Sequence, residues 1–115
     1  MKEKLIEVKK RAVISQWHMN YLLNELKLMF DQDFKFYPYN NNTTIKIYST
    51  WQILVADFYF ENKDIVIVKL TGNWCEFYKN MFKSCILKTF RWEFVPENMC
   101  CCGFFSKKNQ LKFML

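Results

Sequence analysis

Residues 53–70 have the sequence ILVADFYFENKDIVIVKL, which contains the strongest strand pattern in the chain. Residues 53–60 form an apolar run rich in strand-forming side chains, and most residues of 65–70 are β-branched. The polar segment between them, residues 61–64, has a length that closes a hairpin. We therefore predict two antiparallel strands joined by a tight turn.

Shorter strand patterns precede this hairpin. Residues 34–36 and residues 45–47 each alternate apolar and polar side chains, which is the period of a half-buried strand. Between them, Pro38 and the three asparagines at 40–42 are typical of a loop. We expect a strand on each side of that loop.

The N-terminal region has the pattern of an amphipathic helix. Apolar side chains recur at steps of three and four residues over about 3–30, and Glu7 and Arg11 stand one helical turn apart. We predict a helix over this range. Ser15 is a favourable N-cap residue and Trp17 lies off the apolar stripe, so the pattern also allows a break near Ser15.

A second helix is predicted to follow the hairpin. Asn73 and Glu76 have the spacing of an N-cap residue and its reciprocal acidic partner, and the apolar side chains of 74–86 lie on one side of a helical wheel. That side is wide enough to cover a sheet. Residues 91–95 alternate again and predict another strand, whereas residues 100–115 show no clear period.

These elements predict the fold class. A chain of 115 residues, 51% hydrophobic and 19% aromatic, is long enough for one core and too short for two. Helices segregated to one face of an antiparallel sheet give the α+β class. We predict one domain, residues 1–99, with about four or five antiparallel strands and two helices packed on one face. Residues 100–115, rich in Cys, Lys and Phe, are a C-terminal tail or a final strand.

The net charge of +6 is divided unevenly along the chain. Residues 1–30 carry six cations and three anions, residues 31–72 four and five, and residues 73–115 seven and three. Both ends are therefore basic, and a field of this sign attracts anionic partners. Part of the charge is compositional, because the richness in Lys, Asn and Ile is typical of a virus or another AT-rich genome.

Cysteine usage and the N-terminus point to a cellular compartment. There is no run of about 18 apolar residues, and residues 1–10 are too charged to begin a signal peptide. Five cysteines, three of them consecutive, do not resemble a secreted disulfide framework. We expect free thiols and an intracellular location, cytoplasmic or nuclear. The cysteines also lack the paired spacing of a zinc site, so we expect no metal and no cofactor.

His18 is the single imidazole in the chain, and Ser-His-Asp or Cys-His catalysis requires one. A structural or surface histidine is the simpler interpretation, and pairing with Cys75 as a nucleophile is the alternative. The acidic residues of 31–64 fall mainly in turns, where they cap and solvate. We therefore assign no catalytic residue and expect a protein that is not an enzyme.

Nucleic-acid binding, to double-stranded RNA first of all, is an alternative function. Cations of the second helix and the C-terminal region form the candidate surface for anions or nucleic acid: Lys79, Lys83, Lys88, Arg91, Lys107, Lys108 and Lys112. The order helix, strands, helix over about 70 residues resembles the topology of double-stranded RNA-binding domains. That family opens its second helix with a lysine cluster, whereas residues 73–76 read NWCE here. A solvated helix face is the simpler interpretation of these lysines.

The consecutive cysteines Cys100, Cys101 and Cys102 suggest a second alternative. Beside the aromatic pair at 104–105 and the lysine pair at 107–108, they suit reversible palmitoylation next to anionic lipid. Stable anchoring needs both the acyl chain and the basic patch, and it would give a peripheral membrane protein. The simpler interpretation is that they are small apolar side chains of a final strand.

The working hypothesis from the sequence is a small non-enzymatic accessory protein that binds a partner protein. Its basis is the aromatic content of 12 Phe, 6 Tyr and 4 Trp, because rings that do not fit the core form partner-facing or self-associating patches. The edge of the sheet is a second contact, by strand addition or dimer formation. A homodimer is therefore one form of the same hypothesis.

Overall fold

A computed structural model of the chain describes residues 10–96 and 109–115. In these residues two helices and six strands follow one another as α1 (Gln16–Met29), β1 (Lys35–Tyr39), β2 (Thr44–Tyr48), β3 (Ile53–Asn62), β4 (Ile65–Gly72), α2 (Glu76–Phe90), β5 (Glu93–Val95) and β6 (Gln110–Met114). The helices thus alternate with groups of strands, four between them and two after the second.

The six strands form one antiparallel sheet in the order β1-β2-β3-β4-β6-β5. The chain passes from β4 through α2 to β5, and β6 then enters between β4 and β5 and pairs with both. The α+β class is confirmed, with six strands in place of four or five. Double-stranded RNA-binding domains have three strands between their two helices, whereas four strands separate the helices here, so the topology departs from that family.

The β3–β4 hairpin is confirmed, with longer strands and a tighter turn than the sequence pattern indicates. Pairing extends to Asn62 with Ile65, so that only residues 63–64 form the turn. The Asn62 side chain accepts a hydrogen bond from the Asp64 N–H at 2.8 Å. This local bond holds the turn closed, as Asn side chains commonly do.

One face of the sheet carries the hydrophobic core. Every second side chain of β3 from Leu54 to Phe58 is buried on this face. Both helices cover it: the ring of Phe82 in α2 lies 6.3 Å from that of Phe58, and the ring of Phe30, which follows α1, lies 5.6 Å from that of Phe36 in β1. The prediction of two helices on one face is confirmed. Burial of this apolar surface is the main source of stability.

The first helix is shorter than predicted. Residues 10–15 lie outside the helix, so the helix predicted over 3–30 is wrong in this part. The alternative of a break near Ser15 is confirmed: Ser15 is the N-cap residue, and its hydroxyl accepts a hydrogen bond from the His18 N–H at 3.2 Å. Hydroxyl capping of this kind satisfies a backbone donor that the first helical turn leaves unpaired.

Residues 10–12, which precede α1, pair with the part of β3 that β2 leaves unpaired. β2 pairs only with the first half of β3. Beyond β2, the Ala12 N–H donates to the Phe58 carbonyl at 3.2 Å and continues the ladder of backbone hydrogen bonds. Glu7, the predicted partner of Arg11, lies outside the described residues, and the Arg11 guanidinium pairs with Asp57 at 3.0 Å.

The second helix begins later than predicted. Its N-cap residue is Cys75 rather than Asn73, and the Cys75 side chain makes no capping hydrogen bond. Trp74 explains the shift, because its ring is buried and its Nε1 donates to the Val55 carbonyl of β3 at 3.2 Å. This contact holds Trp74 against the sheet, so that the helix starts only after it.

The region around Pro38, predicted as a loop, is the end of a strand followed by a turn. Pro38 lies within β1, which is an edge strand and tolerates proline for that reason. The three asparagines that follow at 40–42 have φ angles of 56°, 56° and 62°. Asparagine adopts this left-handed conformation more readily than other residues with a Cβ. The run of asparagines therefore forms the β1–β2 turn.

The last strand lies inside the sheet. Leu111 and Phe113 of β6 are buried, and Lys112 between them points to the other face. β5 pairs with the outer side of β6 and is shorter than the strand predicted at 91–95. The consecutive cysteines at 100–102 lie outside the described residues.

Candidate functional site

The side of α1 that faces away from the core carries three large exposed apolar side chains. The buried residues of this helix are Met19, Leu22 and Leu26. On the opposite side, Trp17, Tyr21 and Leu28 have exposed fractions of 66%, 37% and 78%. At about 100° per residue, spacings of four and seven residues place these three side chains in one line along the helix. They are called the α1 stripe below.

The border of the α1 stripe carries little charge. Asn24 lies within the line and Asn20 beside it, and Lys27 is a cation on the same flank. The Glu25 carboxylate is engaged by α2, where it pairs with the Lys88 Nζ at 3.1 Å. The stripe is therefore a line of apolar side chains interrupted by Asn24 and bordered by Asn20, whose amide groups can both donate and accept hydrogen bonds.

A series of ring contacts links the α1 stripe to the end of α2. The Trp17 ring stacks on Tyr21 at 5.8 Å between centroids and meets the His18 ring edge-on at 5.0 Å. His18 stacks on Phe90 at 5.5 Å, and Phe90 stacks on Trp92 at 4.3 Å. The exposed rings are thus held by their neighbours, which reduces the side-chain entropy that they lose on binding.

His18 belongs to this ring series. Its Nδ1 lies 2.7 Å from the Ser15 hydroxyl, and its ring contacts those of Trp17 and Phe90. Cys75, the alternative nucleophile, is the N-cap residue at the other end of α2 from Phe90. At 1.5 Å per helical residue the two ends are about 20 Å apart. The structure therefore does not bring His18 and Cys75 together.

The predicted anion-binding cations of α2 are each engaged by a neighbour. Lys79 pairs with Glu76 at 3.8 Å, and the Lys83 Nζ lies 4.3 Å from the centre of the Phe94 ring. Lys88 makes the ion pair with α1, and that hydrogen bond to the carboxylate raises its pKa. These three lysines therefore contribute to contacts within the fold.

The other predicted cations lie elsewhere. Arg91 is exposed and ends α2 in a left-handed conformation with φ 58°. Lys112 lies on the face of the sheet that the helices do not cover, and pairs with Glu61 at 3.2 Å. Lys107 and Lys108 lie outside the described residues. The fold does not gather the described members of the set on one face, and anion binding by them stays a prediction.

Two cysteines of the described residues, Cys75 and Cys85, differ in their exposure. Cys75 is exposed, whereas Cys85 is buried within α2. Burial and the nearby Glu25 carboxylate raise the pKa of Cys85 to about 11. Cys85 is thus an unreactive core thiol. Palmitoylation at 100–102 stays a prediction, because those residues lie outside the described part of the chain.

A shallow cleft of about 400 Å³ lies between the end of α1 and strand β1. Lys27, Asp31 and Lys35 are among its lining residues, together with aromatic side chains of β1 and the residues before it. Its walls carry charges of both signs. The cleft therefore does not define one class of ligand.

No helix in the described residues is long and apolar enough to cross a membrane. In residues 10–96 and 109–115, no three His, Cys, Asp or Glu side chains are grouped as a metal site would require. A scan against protein-family models and searches of curated proteins and of solved structures found no match to this chain.

The α1 stripe is not among the site residues that the sequence pattern predicts. The pattern marks Trp17 only as lying off the buried stripe. The signal in the sequence is the helical spacing of Trp17, Tyr21 and Leu28. It places them on the side of the helix opposite Leu22 and Leu26. A second apolar line on one helix is visible in the sequence, but only the structure shows which of the two lines is exposed.

Proposed function

We propose that this protein is a small non-enzymatic accessory protein that binds a partner protein through the α1 stripe. The observation that carries the proposal is the exposure of Trp17, Tyr21 and Leu28 on the side of α1 opposite its core residues. Single exposed apolar side chains are ordinary on a protein surface, whereas a line of large ones on a rigid helix is typical of an interaction site. Trp and Tyr are also the side chains most enriched at binding hot spots.

The chemistry of the α1 stripe indicates the kind of partner. A helix that presents apolar side chains at spacings of four and seven residues fits an apolar groove on another protein. Asn20 and Asn24 can hydrogen-bond to polar groups at the rim of that groove. Because the border carries little charge, the association should depend weakly on salt.

The contacts of His18 and the free thiols support two further parts of this proposal, namely that the protein is not an enzyme and that it is intracellular. The His18 ring is occupied by contacts with Trp17 and Phe90, which suits a structural role. Cys75 and Cys85 are free thiols, which suits a reducing compartment, and we place the protein in the cytoplasm or nucleus. The composition fits an accessory protein of a virus or another AT-rich genome.

Site-specific photo-cross-linking tests this function. A benzophenone side chain replaces Tyr21 or Leu28 in the full chain, and the cells that express it are irradiated. We expect both positions to give the same discrete protein adduct, identified by mass spectrometry. Lys63, exposed in the β3–β4 turn, is the matched control position and should give none.

The mass of the adduct and a competition experiment complete the test. Unlabelled wild-type protein should abolish the adduct, and the Trp17→Ala variant should compete at least about tenfold less well, as expected of a hot-spot tryptophan. An adduct of two copies of this chain would identify the partner as a homodimer mate. Equal adducts from Lys63 and Tyr21, or none from Tyr21 and Leu28, would contradict the proposal.

A further inference from the structure

The face of the sheet opposite the helices, here called the open face, is built from alternate side chains of the strands. In one row of the register, Tyr37 of β1 lies beside Lys46 of β2. In the next row, Tyr39 lies beside Thr44, Thr44 lies beside Asp57 of β3, and Asp57 lies beside Lys69 of β4. Tyrosines and lysines are thus direct neighbours on β1 and β2, whereas Lys69 on β4 lies beside an aspartate.

The rings of the open face come from three adjacent strands. They are Tyr37, Tyr39, Tyr48 and Tyr59, and the Arg11 guanidinium already lies over the Tyr59 ring, 4.8 Å from its centre. The rings of Tyr37 and Tyr48 meet edge-on at 5.7 Å, and Tyr37 is 50% exposed. An edge-on pair holds both rings in place and leaves ring surface on which a flat group can stack.

Three cations of the open face have no acidic partner within the described residues: Lys35, Lys46 and Lys69. The Lys46 Nζ lies 4.7 Å from the centre of the Tyr39 ring, which positions the ammonium group beside the aromatic surface. By contrast, Arg11 on the same face is neutralised by Asp57. Lys35 and Lys46 therefore place uncompensated positive charge next to the rings of β1 and β2, and Lys69 on β4 lies beside the Arg11–Asp57 pair.

We propose that the open face binds single-stranded nucleic acid. Unpaired bases stack on the tyrosine rings while the backbone phosphates contact the lysines. Such binding has little sequence preference, since every base has a flat aromatic surface. The open face lies on the other side of the sheet from the helices, so this activity is separate from protein binding by the α1 stripe, and either can fail without the other.

A single strand fits these groups better than a duplex or an acidic protein. In a duplex the bases stack on one another, so the phosphates would contact the lysines and the tyrosines would have no flat partner. An acidic protein would supply carboxylates for the lysines but no series of flat rings. Unpaired bases linked by phosphates supply both at once.

Strand spacing sets the size of this site. The rings lie on three neighbouring strands, which are about 4.8 Å apart, and at register positions that run from Ile53 to Tyr59 of β3, so they span about 10 Å across the strands and about 20 Å along them. An aromatic sheet surface of this size stacks about two or three bases. Three lysines would contact about three phosphates, and for a single strand this predicts a slope of about −2 in the plot of log affinity against log salt concentration.

Fluorescence anisotropy of a labelled oligo(dT) of about 12 nucleotides, titrated with the full chain, tests the proposal. We expect the Kd to rise about 20-fold between about 50 and 200 mM salt. Tyr37→Ala should weaken binding about tenfold, and Tyr37→Phe should preserve it because the ring remains. Lys69→Ala should make the slope of log affinity against log salt concentration less negative by about 0.7.

Two matched variants control for side-chain type. Tyr21→Ala removes an exposed tyrosine of α1, and Lys63→Ala removes an exposed lysine of the β3–β4 turn. Both should leave the Kd for oligo(dT) unchanged within about twofold, as expected of residues outside the site. Urea unfolding of every variant separates a loss of binding from a loss of folding.

Four outcomes would overturn the proposal. The first is the absence of binding at about 50 mM salt, where the phosphate contacts are strongest. The second is an equal loss of affinity in Tyr37→Ala and Tyr21→Ala. The third is a duplex of the same length that binds as tightly as the single strand. The fourth is displacement of oligo(dT) by polyglutamate of equal charge, which would assign the open face to acidic proteins.

Discussion

The α1 stripe and the open face of the sheet both expose aromatic rings, and they differ in what surrounds those rings. Trp17 and Tyr21 stand among apolar and amide side chains, whereas Tyr37 stands beside Lys35 and Lys46. The first setting favours another apolar surface that displaces water, and the second attracts an anion before any ring contact forms. Neighbouring charge, rather than ring exposure, therefore indicates the class of ligand that each surface binds.

The largest expected effect separates the two sides of α1. Leu22 is fully buried and Leu28 is exposed, although both are leucines of the same helix. Leu22→Ala should lower the free energy of unfolding by about 2–5 kcal/mol, since it leaves a cavity. Leu28→Ala should change it by less than about 0.5 kcal/mol. Urea unfolding measures both, and equal losses would show that the α1 stripe is part of the core.

Asp57→Asn tests whether negative charge on the open face opposes the binding of nucleic acid there. The carboxylate Oδ1 of Asp57 accepts hydrogen bonds from the Arg11 guanidinium at 3.0 Å and from the Thr44 hydroxyl at 2.6 Å. We expect a loss of about 1–2 kcal/mol of stability, because bonds to a charged group are among the stronger ones. The same change removes an anion from the open face, so oligo(dT) should bind about threefold more tightly at low salt. Weaker binding would place the site elsewhere.

Cys85 tests whether the contact between α1 and α2 is closed to water. Its pKa is raised from 9.0 to about 11 in the fold, so the unfolded chain ionises first. The stabilising contribution of the neutral thiol is complete below the unfolded pKa and is lost as the pH rises through the folded pKa. Between pH 9 and pH 11 the wild type should therefore lose more stability than Cys85→Ala. Parallel losses in urea unfolding would indicate a hydrated thiol.

The smallest expected effect lies outside both surfaces. Arg91 ends α2 with a φ of 58°, a conformation that favours glycine. Arg91→Gly should raise the free energy of unfolding by about 0.5–1 kcal/mol, measured by urea unfolding. Oligo(dT) binding should be unchanged, because Arg91 is not on the open face. A clear loss of binding would instead favour the anion surface that the sequence predicts around α2.

Elements fixed by local pattern could be predicted, and elements fixed by distant contacts could not. The hairpin over 53–70 follows from its own residues, and its strands and turn are confirmed. Ala12 fits a helical spacing with its sequence neighbours, but pairs with β3 because that strand extends beyond β2. Trp74 likewise delays the start of α2 through a hydrogen bond to the sheet. Neither contact is contained in a local pattern.

The position of β6 and the composition of the two exposed surfaces also could not be predicted from local sequence patterns. β6 alternates over only five residues, which is too short a run for a periodicity argument, and its place in the sheet is set by β4 and β5. Tyr37, Lys46 and Lys69 belong to different strands, so their presence on one face of the sheet depends on the register of three pairings. The sequence predicts that some rings are exposed, and the register decides which cations stand beside them.

Replacing Trp17, Tyr21 and Leu28 together by alanine tests most directly whether the α1 stripe serves binding rather than folding. Urea unfolding and competition in the photo-cross-linking assay are measured on the same triple variant. We expect its stability to stay within about 1 kcal/mol of the wild type and its ability to compete for the partner to be lost. A variant that unfolds, or one that competes as well as the wild type, would contradict a partner-binding role for this side of α1.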